Sequence, residues 1–162
     1  MDYKEYRELT NTIDAYLETG NRQTLASIQN CIETKEGCRE KIMEDLVEYH
    51  ERYIQVFSTD DKVKIVSDLA AQIKKREYLA SRVSWMLPYV SDKALDQILS
   101  KADDVALVKI MHEIKGHIRI IGNRFCDSST YFWLHSTNIF SRMGERMIWH
   151  KLYRKCQRNL NK

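Results

Sequence analysis

The sequence predicts an all-α protein: a compact, multi-helix single domain, residues 1–162, with about seven or eight helices. Three observations support this prediction. The 162 residues include one proline and five glycines, so few positions interrupt a helix. Apolar residues recur every three or four positions along most of the chain, which is the period of an α-helix. An apolar content of 43% over this length is enough for one sizeable core.

The first half of the chain is predicted to form four helices. The first runs from Tyr3 to about Gly20, because glycine readily adopts the left-handed backbone that closes a helix. A short second helix closes at Gly37. The third is predicted as one long helix with a continuous buried stripe, formed by Ile42, Leu46, Tyr49, Tyr53 and Phe57. The oxygen-bearing side chains of residues 58–61 then indicate the start of a fourth helix.

Further helices are predicted in the second half. A fifth helix ends at Pro88, since the residue before a proline is driven out of helical geometry. Ser91 caps a short sixth helix, and Asp103 or Asp104 starts a seventh that stops near residue 122. One or two helices then reach the C-terminus, and a break at Gly144 would divide the segment into two.

Charge is distributed unevenly along the chain. The net charge of +3 divides into −6 over residues 1–60, +1 over residues 61–108 and +8 over residues 109–162. A basic C-terminal third indicates an anionic partner. A fold that neutralises its own charge is the alternative interpretation.

The most informative pattern is a row of cationic side chains at four-residue spacing. We define this cationic row as Arg142, Arg146, His150, Arg154, Arg158 and Lys162. Residues four apart are neighbours on a helix, so the row would follow one face, and Lys151 and Lys155 fall on the same arc. The opposite arc is apolar and consists of Ile148, Trp149, Leu152, Tyr153, Cys156 and Leu160. The segment is therefore predicted to be a basic amphipathic helix.

We predict that these eight cationic residues contact an anionic partner, with nucleic acid favoured over an acidic protein surface. Arginine can hold a phosphate through two hydrogen bonds. The aromatic residues at 131–133 offer rings on which bases could stack, although such residues more often belong to a core. A charged face that is merely solvated is the ordinary alternative.

A second row, which is acidic, favours a protein partner. This acidic row consists of Glu36, Glu40, Glu44 and Glu48 on the predicted third helix. The two rows could pair within one chain or between two chains, so the alternative function is a protein-binding adaptor or chaperone, with a homodimer left open. Exposed ion pairs contribute only about 0–1 kcal/mol each, so such pairing would set orientation more than stability.

No pattern of catalytic residues is found, and we predict a protein that is not an enzyme and needs no metal or cofactor. The segment from His112 to His117 resembles the zinc-protease pattern H-E-x-x-H but has one residue too many. Five residues place the two histidines about 140° apart around a helix, where they cannot share one metal ion. An ordinary contact between Glu113 and His117 is expected instead.

The remaining features predict a cytoplasmic protein. The N-terminus is too polar for a secretory signal, and the longest apolar runs fall far short of the roughly 20 residues of a membrane span. The four cysteines include no C-x-x-C pair and are predicted to be free thiols. Together with the missing catalytic patterns, this favours a regulatory role through binding.

Overall fold

The computed structural model describes the backbone of residues 1–122 and 139–162 and the side chains of residues 1–120 and 146–162. Within these ranges the chain forms eight α-helices and two short 3₁₀ turns, and no strand. The all-α prediction is therefore confirmed. Contacts divide the chain into two compact units, Met1–Ile65 and Val66–Lys162. The expectation of a single domain stays a prediction.

The first unit contains α1 (Tyr3–Thr19), α2 (Arg22–Thr34), α3 (Cys38–Glu48) and a 3₁₀ turn over Glu51–Val56. The division between the units falls inside α4 (Thr59–Ala71). The second unit contains α5 (Leu79–Met86), a 3₁₀ turn over Leu87–Tyr89, α6 (Asp92–Lys101), α7 (Asp104–Gly122) and α8 (Ile139–Leu160). α8 passes through Gly144 without a break, so the segment is not divided there.

Local chemistry explains the ends of α1 and α2. The Asp2 side chain accepts a hydrogen bond from the Glu5 N–H, and the Glu5 side chain accepts one from the Asp2 N–H. This reciprocal pair satisfies donors that the start of a helix leaves free. Gly20 closes α1 in the left-handed conformation, as predicted, and the Asn21 side chain accepts hydrogen bonds from the first turn of α2.

The core of the first unit is formed by apolar stripes of its three helices and its 3₁₀ turn. Its fully buried side chains include Ile13, Ile28, Ile42, Leu46 and Ile54. Polar contacts hold the turn in place. The Tyr53 hydroxyl donates to the Asp14 carboxylate at 3.3 Å, and the Gln29 amide donates to the Val56 carbonyl at 3.2 Å. These bonds connect the turn to α1 and α2.

The length predicted for the third helix is wrong. α3 ends at Glu48, where the N–H groups of Tyr49 and His50 both donate to the Asp45 carbonyl, and the chain continues as the 3₁₀ turn. Tyr49 is 72% exposed instead of buried, whereas Tyr53 is buried as predicted. No glycine or proline marks the break. Packing of the turn against α1 and α2 overrides the local helical pattern.

In the second unit, α7 packs along α8 and against α5, and α8 also contacts α6 and the turn Leu87–Tyr89. The predicted helix boundaries hold here. Ser91 caps α6 by accepting from the Ala94 N–H, and Asp103 caps α7 by accepting from the Ala106 N–H at 2.8 Å. The buried side chains include Leu79, Val83, Met86, Ile98, Ile110 and Ile114. The unit is thus a helix bundle in which α8 packs against several other elements.

Two glycines provide a matched test of backbone strain. Gly20 has φ +66° while Gly116 lies inside α7, and a Cβ added at either position meets no non-neighbouring atom within 4 Å. Gly20→Ala should lower the free energy of unfolding by about 1 kcal/mol through strain alone. Gly116→Ala should raise it by about 0.5–1 kcal/mol, because alanine favours a helix interior. Denaturant unfolding followed by circular dichroism measures both, and effects of the same sign would contradict this account.

Candidate functional site

α8 carries the cationic row and is anchored through its opposite side. Trp149, Leu152 and Cys156 are buried, and Tyr153 is half-buried. Ile148 was expected in this anchoring stripe but is 45% exposed. The buried stripe of α8 is therefore narrower than the sequence predicts, and more of the helix surface faces solvent.

A group of rings holds α8 against its neighbours. The imidazole of His117 on α7 contacts the indole of Trp85 on α5 at a centroid distance of 3.9 Å, and that of Trp149 on α8 at 4.7 Å. The two indoles meet edge to face at 5.5 Å. His117 Nε2 lies 2.9 Å from Ser84 Oγ. We call these four residues the aromatic cluster, and it joins three helices at one point.

The hydrogen bonds of Ser84 determine the role of His117. The Ser84 hydroxyl donates its proton to the Ser81 carbonyl at 2.7 Å, so its oxygen accepts the Nε2–H of His117. Burial lowers the pKa of His117 to about 4, because the charged imidazolium would lose its hydration. His117 is therefore a neutral donor at pH 7. This buried contact replaces the one expected with Glu113, and it does not make Ser84 a nucleophile.

Two lysines of α8 are neutralised by α6. Lys151 Nζ lies 2.7 Å from the Asp92 carboxylate, and Lys155 Nζ lies 2.8 Å from that of Asp96. A spacing of four residues on both helices brings the two pairs into register. The hydrogen bond from Lys151 lowers the pKa of Asp92. Because the aspartates are largely exposed, each pair contributes little to stability and mainly orients α8 relative to α6.

Three arginines of α8 form a separate surface. Arg146, Arg154 and Arg158 are exposed and form no ion pair among the described residues. His150 lies in the same row and is half-buried. We call these four residues the outward face. His150, Arg154 and Arg158 line a concave space of about 490 Å³, and the paired Lys151 lines it as well, so part of the outward face borders a recess.

Two apolar side chains border the outward face. Met147 is 69% exposed, Ile148 is 45% exposed, and both line the same concave space. Large apolar side chains surrounded by cations are typical of the centre of an interface with a polar rim. The amphipathic pattern of the sequence does not predict this pair, because it assigns Ile148 to the buried stripe.

The other predicted contact residues lie towards the ends of α8. Lys162 follows the helix and is exposed. The side chain of Arg142 lies outside the described residues, so its role stays a prediction. The aromatic segment 131–133 also lies outside them, and base stacking by these rings stays a prediction as well.

The acidic row is shorter than predicted. Glu40, Glu44 and Glu48 lie on α3 and are exposed. Glu36 lies in the turn before the helix, because α3 begins only after Gly37, which has φ +78°. Three carboxylates, not four, therefore follow one helix face. Pairing of this row with the cationic row stays a prediction.

Sequence patterns also missed a polar groove in the first unit, a concave space of about 450 Å³ formed by α1, α3 and the 3₁₀ turn. The Tyr6 hydroxyl donates to the Asp45 carboxylate, and Tyr53 donates to Asp14. The His50 ring stacks on Tyr53 at 4.7 Å. Burial and the nearby carboxylates raise the pKa of both tyrosines. These groups satisfy one another within the fold, so the groove supports a binding role less strongly than α8.

The two histidines of the zinc-like segment occupy different faces of α7. His112 is exposed and His117 is buried, as their five-residue separation predicts. Across the described residues, no three side chains of His, Cys, Asp or Glu converge as metal ligands. Among the described helices, none combines the length and the apolar character needed to cross a bilayer.

Comparisons of the chain with protein-family models, with curated proteins and with solved structures found no match. The functional proposal therefore rests on the geometry of α8.

The aromatic cluster should make the protein less stable in mild acid. The pKa of His117 is about 4 in the folded protein against 6.5 for an ordinary histidine. Between these values the unfolded chain takes up a proton that the folded chain does not. The contribution of His117 to the free energy of unfolding is therefore fully present above pH 6.5. It is lost as the pH falls from 6.5 to 4, and the total loss is about 3 kcal/mol.

A variant pair isolates this effect. His117→Phe keeps an aromatic ring but cannot titrate, so its free energy of unfolding should fall less than that of wild type between pH 6.5 and 4. His112→Gln changes an exposed histidine of the same helix and should keep the wild-type pH dependence. Denaturant titrations at several pH values measure all three proteins. Equal pH dependence in wild type and His117→Phe would refute the assignment.

Proposed function

We propose that the protein is a non-enzymatic regulatory binding protein whose outward face on α8 contacts an anionic partner, with nucleic acid as the favoured partner. The observation that carries this proposal is the separation of the α8 cations into two sets. Lys151 and Lys155 are neutralised by α6, whereas Arg146, Arg154 and Arg158 are exposed without an ion pair in the described part of the chain. Charge balance within the unit accounts for the lysines and leaves the arginines available.

The spacing of the outward face suits a repetitive anion. Arg146 and Arg158 are twelve residues apart, which is about 18 Å along a helix. Each strand of duplex DNA carries one phosphate per roughly 3.4 Å of axis, so several phosphates fall within reach of the row in any register. Guanidinium groups can hold these phosphates through paired hydrogen bonds. The buried side of α8 keeps the row in place while it binds.

Matched double variants test which cations bind. Arg154→Gln/Arg158→Gln and Lys151→Gln/Lys155→Gln each remove two charges from α8, and glutamine preserves helix propensity. The arginine variant should bind a single-stranded RNA or a duplex DNA at least about tenfold more weakly than wild type, and the lysine variant less than about threefold more weakly. The slope of log affinity against log salt should also become shallower, by about 0.7 per lost contact on a single strand and 0.9 on a duplex. Fluorescence anisotropy measures both quantities.

Stability provides the control for this comparison. The arginine variant should unfold at the wild-type temperature or slightly above it, because it removes a pair of like charges at i,i+4 and breaks no ion pair of the described residues. Equal weakening by both variants would indicate general attraction by net charge instead of the outward face. If wild type binds neither nucleic acid at low salt, the nucleic-acid proposal fails.

An acidic protein surface is the second candidate, and the exposed apolar pair Met147 and Ile148 supports it. An apolar centre with cations around it suits an acidic amphipathic helix, whose apolar side chains would enter the concave space. An adaptor or chaperone would use the surface in this way. A homodimer would place the acidic row of a second copy there.

The double variant Met147→Ser/Ile148→Ser separates the two candidates. It removes apolar contact area and leaves the arginines, so nucleic-acid affinity should stay within about twofold of wild type. A protein partner held by these side chains should be lost, since truncation of a central apolar anchor commonly costs 2 kcal/mol or more. Pull-downs from lysate with and without nuclease provide the measurement. If a partner is recovered in the presence of nuclease and is lost with the variant, a protein partner is supported. If recovery is lost with nuclease but is unchanged in the variant, nucleic acid is supported.

A further inference from the structure

The turn between α2 and α3 brings two cysteines together. Cys31 lies in the last turn of α2, and Cys38 is the first residue of α3. The Lys35 N–H donates to the Cys31 carbonyl at 3.0 Å, and the Cys38 N–H donates to the Lys35 carbonyl at 3.2 Å. Gly37 completes the reversal with φ +78°, a conformation that other residues rarely adopt. The backbone of this turn therefore determines how close the two thiols lie.

The sulfur atoms are already in contact. Cys38 Sγ donates to Cys31 Sγ at 3.6 Å, and both residues are free thiols. A disulfide requires about 2.05 Å, so the sulfurs need to approach by roughly 1.5 Å. The two thiols differ in exposure. Cys38 is buried, whereas Cys31 is half-buried and reachable from solvent.

We propose that Cys31 and Cys38 form a redox site, at which a hydroperoxide converts the two thiols into an intramolecular disulfide. This inference is independent of the proposed function of α8. Four cysteines without a C-x-x-C pair do not suggest such a site from the sequence, because the contact depends on the conformation of the turn.

The oxidation proceeds in two balanced steps. In the first, the sulfur of Cys31 attacks one peroxide oxygen, the O–O bond breaks, and Cys31 becomes a sulfenic acid with release of water or an alcohol. In the second, the sulfur of Cys38 attacks the sulfenyl sulfur and the S–S bond forms. The hydroxide that leaves takes the proton of Cys38 and departs as water. Two electrons from the two thiols thus reduce one peroxide.

Burial sets the order of these steps. Desolvation and, after it, the hydrogen bond to Cys31 together raise the pKa of Cys38 to about 12. Cys38 is fully buried, so a dissolved oxidant does not reach its sulfur, whereas the sulfur of Cys31 is in contact with it. Cys38 serves as the resolving residue, 3.6 Å from the position where the sulfenic acid forms.

The wild-type chain tests the proposal directly. Full-length protein is treated with hydrogen peroxide, denatured without reductant and alkylated. The mass of the unalkylated chain should fall by about 2 Da, as two hydrogens are lost, and the number of alkylated cysteines should fall from four to two. Trypsin cleaves after Arg22, Lys35 and Arg39, so peptide 23–35 should be recovered linked to peptide 36–39. Dithiothreitol should restore all four thiols.

Variants identify the role of each thiol. Cys38→Ala leaves no resolving thiol, so peroxide should give a sulfenic acid at Cys31 that dimedone traps, with no adduct in wild type. Cys31→Ala should give neither the disulfide nor the adduct. Cys156→Ala removes a thiol buried in the second unit and should still lose two hydrogens.

Three results would overturn the proposal. The first is a disulfide that joins peptide 23–35 to a peptide with Cys126 or Cys156. The second is a covalent dimer as the main product. The third is over-oxidation of Cys31 in wild type while Cys38 remains alkylatable. The peptide map uses the wild-type chain, so the test does not depend on whether a variant folds.

Discussion

The second unit depends on the contact of one neutral imidazole with two indoles. His117, Trp85 and Trp149 come from α7, α5 and α8, and their rings meet within 5.5 Å of one another. The hydrogen bond from His117 Nε2 to Ser84 satisfies one of the two ring nitrogens that this position places on α7. An aromatic hydrocarbon would fill the space but leave no such bond, and a charged side chain would lose its hydration. The position therefore requires a side chain that is aromatic, polar and uncharged at once.

The aromatic cluster sets the orientation of α8, and this orientation determines which of its cations can contact a partner. With Trp149 directed towards α7, Lys151 and Lys155 come to lie over Asp92 and Asp96 of α6. The arginines are exposed and form no ion pair with either helix among the described residues. The difference between lysines and arginines also has a chemical consequence. Guanidinium is planar, stays charged and can hold a phosphate or a carboxylate with two hydrogen bonds, whereas an ammonium acts as a point charge.

Periodicity and capping residues predicted every α-helix of the described chain, because these signals are local. Two of the failures involve residues far apart in sequence. Tyr49 lies outside the core because the turn that follows it packs against α1 and α2. No residue close to Tyr49 in sequence indicates that the helix ends there. His117 meets Ser84, 33 positions earlier, instead of Glu113 on its own helix. The cationic row itself was visible in the sequence. Its division into paired and unpaired members was not, since this depends on which face of α8 meets α6.

Magnitudes explain how α8 can carry a cationic face that has no ion pair within the described part of the chain. Burial of a large apolar side chain contributes about 1.5–3 kcal/mol, and α8 buries both Trp149 and Leu152. Repulsion between Arg154 and Arg158 at i,i+4 costs only a few tenths of a kcal/mol. The helix is thus held in place without any anion. Because folding does not need the outward face to be neutralised, its arginines can be changed without loss of the fold. Binding through this face is therefore separable from stability, which is not true of Trp149 on the other side of the same helix.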